Sequence, residues 1–284
     1  MSEVRTVSRI IQSVETSDGA GVKLRRSLGS SQFARLDPFL MLDEFYSDDP
    51  NDYIAGFPSH PHRGFETVTY MLDGIMRHED SVGNKGDLGP GDVQWMSAAR
   101  GIIHSEMPQQ TEGRMRGFQL WINLPANEKM NDPRYQEIEA NNVPVISDED
   151  GMIVRLIAGR WVKGSVTTVG PVQSVSTDPY YLDVRLPEKG TFTLPIPDGH
   201  NAFLYLYEGN AFVGEKNERL AHRSAAILSE SGAVLVRAGD SECRFLLFAG
   251  KPINEPVVQY GPFVMNTREE IEQAIADYQS GTLV

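Results

Sequence analysis

The chain has little cysteine, no basic cluster and no long apolar run. One cysteine, Cys243, stands among 284 residues, so no intramolecular disulfide can staple the fold. It lies in the strand-like segment SECRFLLF and reads as a small core residue, not a nucleophile. No apolar stretch approaches the length needed to span a bilayer. The N-terminal segment MSEVRTVSRIIQSVE lacks the apolar block and small-residue cleavage site of a signal peptide. Together with the lone thiol, this leads to the expectation of a cytoplasmic protein. Cations are outnumbered, with 26 Lys and Arg against 39 Asp and Glu and a formal net charge of −13. Nucleic-acid affinity comes mostly from cationic contacts to phosphate. The balance therefore argues against a direct nucleic-acid partner and against an anionic membrane surface, and it favours solubility.

Glycine (26) and proline (17) are plentiful and scattered. They punctuate short runs rich in Val, Ile, Phe and Tyr, including FETVTYML, GDVQWM, GIIHSEM, FQLWINL, YYLDVRL, FLYLYEG, AAILSE, GAVLVRAG and RFLLFAG. Short strands at regular spacing indicate an all-β sandwich or barrel. One helix is expected near the end, in TREEIEQAIADYQSG, with Thr267 and Glu270 forming a capping box and Gly281 ending it.

A weak internal repeat is visible. Val68–Gly74 resembles Phe203–Gly209, and WMSAARGI in the first half is matched with LVRAGDSE in the second. The simplest account is two tandem copies of one β-barrel, residues 1–135 and 136–284. The polar stretch NEKMNDPRYQEIEANNVP would connect them.

Six histidines are present. His60 and His62 are two apart, so on a strand both point to one face. Glu66, Val68, Tyr70 and Leu72 share their parity, which gives a face that starts with imidazoles and continues apolar, as the lining of a small barrel with a site near its mouth would. Pro61, without an N–H, belongs on an edge strand or an irregular strand start, at a barrel rim. His104 and Glu106 form a second same-face pair. Neutral imidazoles with one carboxylate are a common ligand set for iron, manganese, nickel or copper, with positions left open for substrate or O2. Parity alone does not choose between Glu66 and Glu106. His78, followed by two acidic residues, reads as part of a solvated hairpin. His200 and His222 have no paired partner and read as structural.

The segment from HPHRGFETVTYMLDG to GDVQWMSAARGIIHSEMP resembles the signature of the pirin family of cupins. DPFLMLDEF upstream and YGPFVMNTREEIEQAIADY near the end resemble it too, so the likeness spans the chain. It implies a bicupin, two double-stranded β-helix barrels with a short C-terminal helix. It also implies one divalent ion, Fe(II), in the first barrel, held by His60, His62, His104 and Glu106. The activity it implies is quercetin 2,3-dioxygenation, with a small aromatic substrate and O2, and with Glu106 as general base. The alternative it carries is a metal- or redox-responsive binding protein that regulates a protein partner. No metal is expected in the second barrel. Aligning Gly74 with Gly209 places Pro195 and Pro197 at the positions of His60 and His62, and Asn201 at that of Glu66.

Overall fold

The structure is a computed structural model and describes residues 3–31, 34–172 and 175–284. It divides into two compact units, each a β-barrel.

The first unit comprises residues 14–29, 39–140 and 253–284. Its larger sheet runs, in spatial order, through the strands Arg134–Ile138, Val93–Ser97, Phe65–Asp73, Met115–Asn123, Phe39–Ser47, Val22–Arg26 and Val14–Asp18. The smaller sheet runs Phe57–His62, Ile102–Pro108, Met76–Asp80, Lys85–Leu88. All the pairings are antiparallel. The strand containing Pro61 is at the edge of its sheet, where the missing N–H costs no ladder bond.

The second unit comprises residues 1–13, 30–38 and 141–252. It repeats the order with Val7–Gln12, Ser224–Leu228, Asn201–Glu208, Cys243–Gly250, Tyr180–Leu186, Ile153–Ala158 and Val145–Ser147, and with Thr191–Pro195, Ala233–Ala238, Ala211–Val213 and Glu218–Leu220. The expected match of Val68–Gly74 with Phe203–Gly209 is therefore a match of equivalent strands. The second expected match is out by one strand. WMS occupies the place of Ser224–Leu228, while LVRA belongs to the strand equivalent to the one carrying His104.

The units interleave at both chain ends, which differs from a single division between 135 and 136. In the first unit, the supposed connection supplies the edge strand Arg134–Ile138 beside Val93–Ser97. In the second unit the equivalent seat, beside Ser224–Leu228, is filled by Val7–Gln12 from the opposite end of the chain. An uncovered edge leaves a row of unpaired N–H and C=O groups, so each sheet gains by having this seat occupied. The C-terminal residues in turn belong to the first unit. Buried Lys129 donates from Nζ to the carbonyls of Gly64 (2.6 Å) and Val264 (3.0 Å) and to Asn123 Oδ1 (2.6 Å). Arg63 pairs with Asp277 at 2.7 Å.

The helix Arg268–Ser280 starts with the expected box. Thr267 accepts from the Glu270 N–H and Glu270 from the Thr267 N–H, and Gly281 at φ 73° ends it. Among the described residues no helix is long and apolar enough to cross a membrane.

The two interiors differ. That of the second unit is one continuous apolar cluster running from Met152 through Phe192, Leu204 and Val236 to Ala249. Cys243 is part of it, and burial pushes its thiol up to about 12. The first unit has several smaller apolar clusters and, between its two sheets, a cavity of about 590 Å³.

Candidate metal centre

In the first barrel His104 lies directly opposite His60, and Ile102 opposite His62. Side chains two apart share a face, so this register brings both expected pairs to one side of the small sheet. His60, His62 and His104 each offer a ring nitrogen, and these nitrogens lie within 4.8 Å of one another.

The tautomer of His60 is set by its neighbour. Nδ1 lies 2.8 Å from the Pro58 carbonyl, which can only accept, so the ring proton sits there and Nε2 carries a lone pair. That Nε2 is 3.1 Å from His62 Nε2. Two imidazole ligands at a right angle around an ion, each about 2.1 Å away, would be about 3.0 Å apart. His104 Nε2 is buried with no hydrogen-bond partner. Burial, reinforced by the neighbouring rings, holds His62 and His104 well below the usual histidine range. Neutral rings with lone pairs are what a metal ion requires, so this donor set fits one.

Glu106 follows His104 on the same strand face and is buried. Its Oε1 is 2.8 Å from Thr69 Oγ1, and Gln119 Nε2 is 3.5 Å from its Oε2. Thr69 Oγ1 is also 2.6 Å from Gln119 Oε1. His60, His62, Glu106, Thr69, Gln119 and Trp121 all line the cavity. Arg26, bonded to Asp43 at 2.8 and 2.7 Å, lines it as well. Burial lifts Asp43 to about 6 against the pull of that guanidinium. Phe65 and Trp121 pack against His62, with ring centroids 5.0 and 5.3 Å away.

Glu66 does not share the histidine face, contrary to the parity expectation. The strand ends at His62 and a new one begins at Phe65. Gly64, at φ 90°, makes the turn between them and resets the alternation, so that Phe65 and Thr69 face the histidines. Glu66 Oε2 instead accepts from Trp95 Nε1 at 3.0 Å, and burial raises its carboxyl to about 7.

His78 is not solvated, as the acidic residues after it had suggested. It is fully buried on Met76–Asp80, the strand on the other side of the His104 strand, where it pairs with Glu106 while Asp80 pairs with His104. Its Nδ1 is 3.3 Å from His104 Nδ1 and its Nε2 is 3.2 Å from Asp80 Oδ2. Three neighbouring strands thus each present an i, i+2 polar pair: His60 and His62, His104 and Glu106, His78 and Asp80. The third pair had the same sequence signal as the first two. Thr69 and Gln119 gave none, since they come from the opposite sheet.

His200 and His222 lie in the second unit, bonded to Asp178 and to the Tyr207 carbonyl. At the place equivalent to His60, Pro195 pairs with Ala233, and neither side chain has a donor atom.

The pirin family model matches residues 21–122, and the pirin C-terminal cupin domain model matches residues 181–284. A Pseudomonas aeruginosa protein provisionally named quercetin 2,3-dioxygenase is 53% identical over 284 residues, covering 100% of this chain and 99% of that one. Human pirin is 42% identical over 286 residues, covering 99% and 94%. A crystal structure of quercetin 2,3-dioxygenase from Acinetobacter baumannii has the same fold, with a TM-score of 0.91 at 35% identity and 99% of both chains covered. With both family models matched in order and a site-bearing first barrel, the chain belongs to the pirin family of two-domain cupins.

Proposed function

We propose that the protein is an iron(II)-dependent dioxygenase that cleaves a ring of quercetin-like flavonols or related enolic aromatics. One conjunction carries this reading: three imidazoles bring ring nitrogens within 4.8 Å of one another, and the buried Glu106 carboxylate, outside that group of donors, lines with His60 and His62 a cavity of about 590 Å³, within the usual range for small-molecule sites. The Pseudomonas relative and the Acinetobacter structure, both named for quercetin 2,3-dioxygenase, support the same class.

His60, His62 and His104 would hold the ion through Nε2, with Glu106 completing the set. Bound iron supplies Lewis acidity toward an enolic oxygen and one-electron chemistry toward O2. Glu106 takes the proton of the substrate hydroxyl as general base. With that proton on Oε1 the surrounding ring closes: Oε1–H donates to Thr69 Oγ1, Thr69 donates to Gln119 Oε1, and Gln119 Nε2 faces Oε2. Every proton in the ring then has an acceptor, so the protonated carboxyl is accommodated without another group moving. Phe65 and Trp121 keep water from the His62 side. The buried free thiol of Cys243 suits a reducing compartment, and we place the protein in the cytoplasm.

Oxygen uptake by the iron-loaded protein with quercetin tests the reading, with carbon monoxide sought as the co-product of ring cleavage. Turnover should scale with iron occupancy. A metal-loaded protein that consumes no O2 with any flavonol overturns the dioxygenase assignment and favours a regulator that acts on a protein partner.

A further inference from the structure

We propose that Asp80 and His78 form a hydrogen-bonded relay behind the metal centre that fixes the tautomer and aim of His104, making both of them positioning residues for metal ligation. The proposal rests on the metal reading of the three histidines.

The relay has one direction, and Asp80 sets it. Every other partner of the Asp80 carboxylate is a donor. Oδ1 accepts from the backbone N–H groups of Val82 (3.1 Å) and Asn84 (2.9 Å), and Oδ2 accepts from Asn84 Nδ2 (2.8 Å). The carboxylate can therefore only accept from His78 as well, which places the His78 ring proton on Nε2, 3.2 Å from Oδ2. A neutral His78 then has only a lone pair at Nδ1. His104 Nδ1, 3.3 Å away, must donate to it. The single proton of His104 is thereby held on Nδ1, and Nε2 is left bare. That Nε2 is the buried nitrogen without a partner, in the ring that joins His60 and His62. A ligating histidine whose other N–H is held by an outer group is a recurrent device in metal sites. Here a second imidazole carries the carboxylate's influence across one strand spacing.

The simpler reading is that Asp80 only closes the turn at residues 80–84 and His78 only fills space against Tyr135, whose ring centroid is 5.1 Å away. Asp80→Asn separates the two. The amide oxygen stays on the two backbone N–H groups, so the amide NH2 faces His78 Nε2 and donates to it. His78 then carries its proton on Nδ1, and His104 is driven to protonate Nε2, the nitrogen a metal needs. Shape hardly changes, and Asn84 keeps its bond by turning its side-chain amide so that Oδ1 accepts from the new NH2 in place of Nδ2 donating, while the direction of the relay reverses. His78→Gln can keep it, with Oε1 accepting from His104 and Nε2 donating to Asp80. His78→Phe cannot.

The test is Co(II) affinity by chelator competition on the full-length protein, together with the long-range 1H–15N pattern of His104 in the metal-free state. The parent and His78→Gln should bind Co(II) similarly, with His104 protonated on Nδ1. Asp80→Asn and His78→Phe should bind about 10- to 100-fold more weakly, and Asp80→Asn should show His104 protonated on Nε2. If Asp80→Asn is folded, binds Co(II) like the parent and leaves the His104 pattern unchanged, the relay is overturned and the metal centre stands. If the parent binds no stoichiometric Co(II), the metal centre itself is overturned, and the relay with it.

Discussion

His60 and His104 face each other in register on neighbouring antiparallel strands, their ring centroids 4.4 Å apart. Each has a companion two residues along, His62 and Glu106, so a single strand pairing brings four polar side chains to one wall. A slip of one residue would turn a whole pair to the other face. The centre is therefore a product of register as much as of composition.

The double variant His60→Ala, His62→Ala should lose stoichiometric iron while keeping the fold. It removes two of three converging nitrogens but leaves the strand pairing, which is made by backbone atoms. Elemental analysis should give near-zero iron, and the metal-free protein should melt within about 5 °C of the metal-free parent, as expected for a loss of about 1–2 kcal/mol. Full iron occupancy would remove these residues from the site.

Glu106→Gln keeps the size of the side chain and an oxygen atom but has no basic carboxylate. The general-base role predicts a fall in kcat with quercetin of about 10²–10⁴-fold, with KM changing little and iron content near that of the parent. Parental turnover by a metal-loaded Glu106→Gln would make the carboxylate purely structural.

Glu66 gives a prediction for stability against pH. Burial raises its carboxyl from 4.5 to about 7, so between these values the folded state holds a proton that the unfolded chain has released. Stability from this group is highest below about pH 4.5, falls as pH rises to about 7 and is flat above that. Glu66→Gln can still accept from Trp95 Nε1 and has no proton to lose. Chemical denaturation should show it close to the parent at pH 4.5 and more stable at pH 8, by at most about 3 kcal/mol. A parallel pair of pH profiles would mean that Glu66 is ionised in the fold.

Gly64 holds the turn that separates the histidine strand from Phe65–Asp73. Its φ of 90° is unfavourable for other residues, and a Cβ there would run into the Val264 carbonyl oxygen. Gly64→Ala should cost at least about 2 kcal/mol, combining backbone strain with displacement of the Phe263–Met265 strand. A thermal melt within 2 °C of the parent would contradict this.

Much of this protein is written in local pattern. The strands around His60, His104, Phe203 and Phe245, the capped C-terminal helix and two of the three polar pairs follow from short-range alternation, turn residues and capping chemistry, which act over a few residues. The same alternation was present in His78 and Asp80, but an intervening acidic residue, Glu79, resembled a solvated hairpin. Burial of that pair depends on which sheet face the strand presents, and that depends on its partner strands. Glu66 lost its expected place because one residue with positive φ, Gly64, reset the alternation. The exchange of chain ends between the units, and the approach of Thr69 and Gln119 to Glu106, join residues far apart in sequence. Tertiary structure alone decided these, because they depend on which strand covers which sheet edge and which face meets which, and no local pattern encodes either.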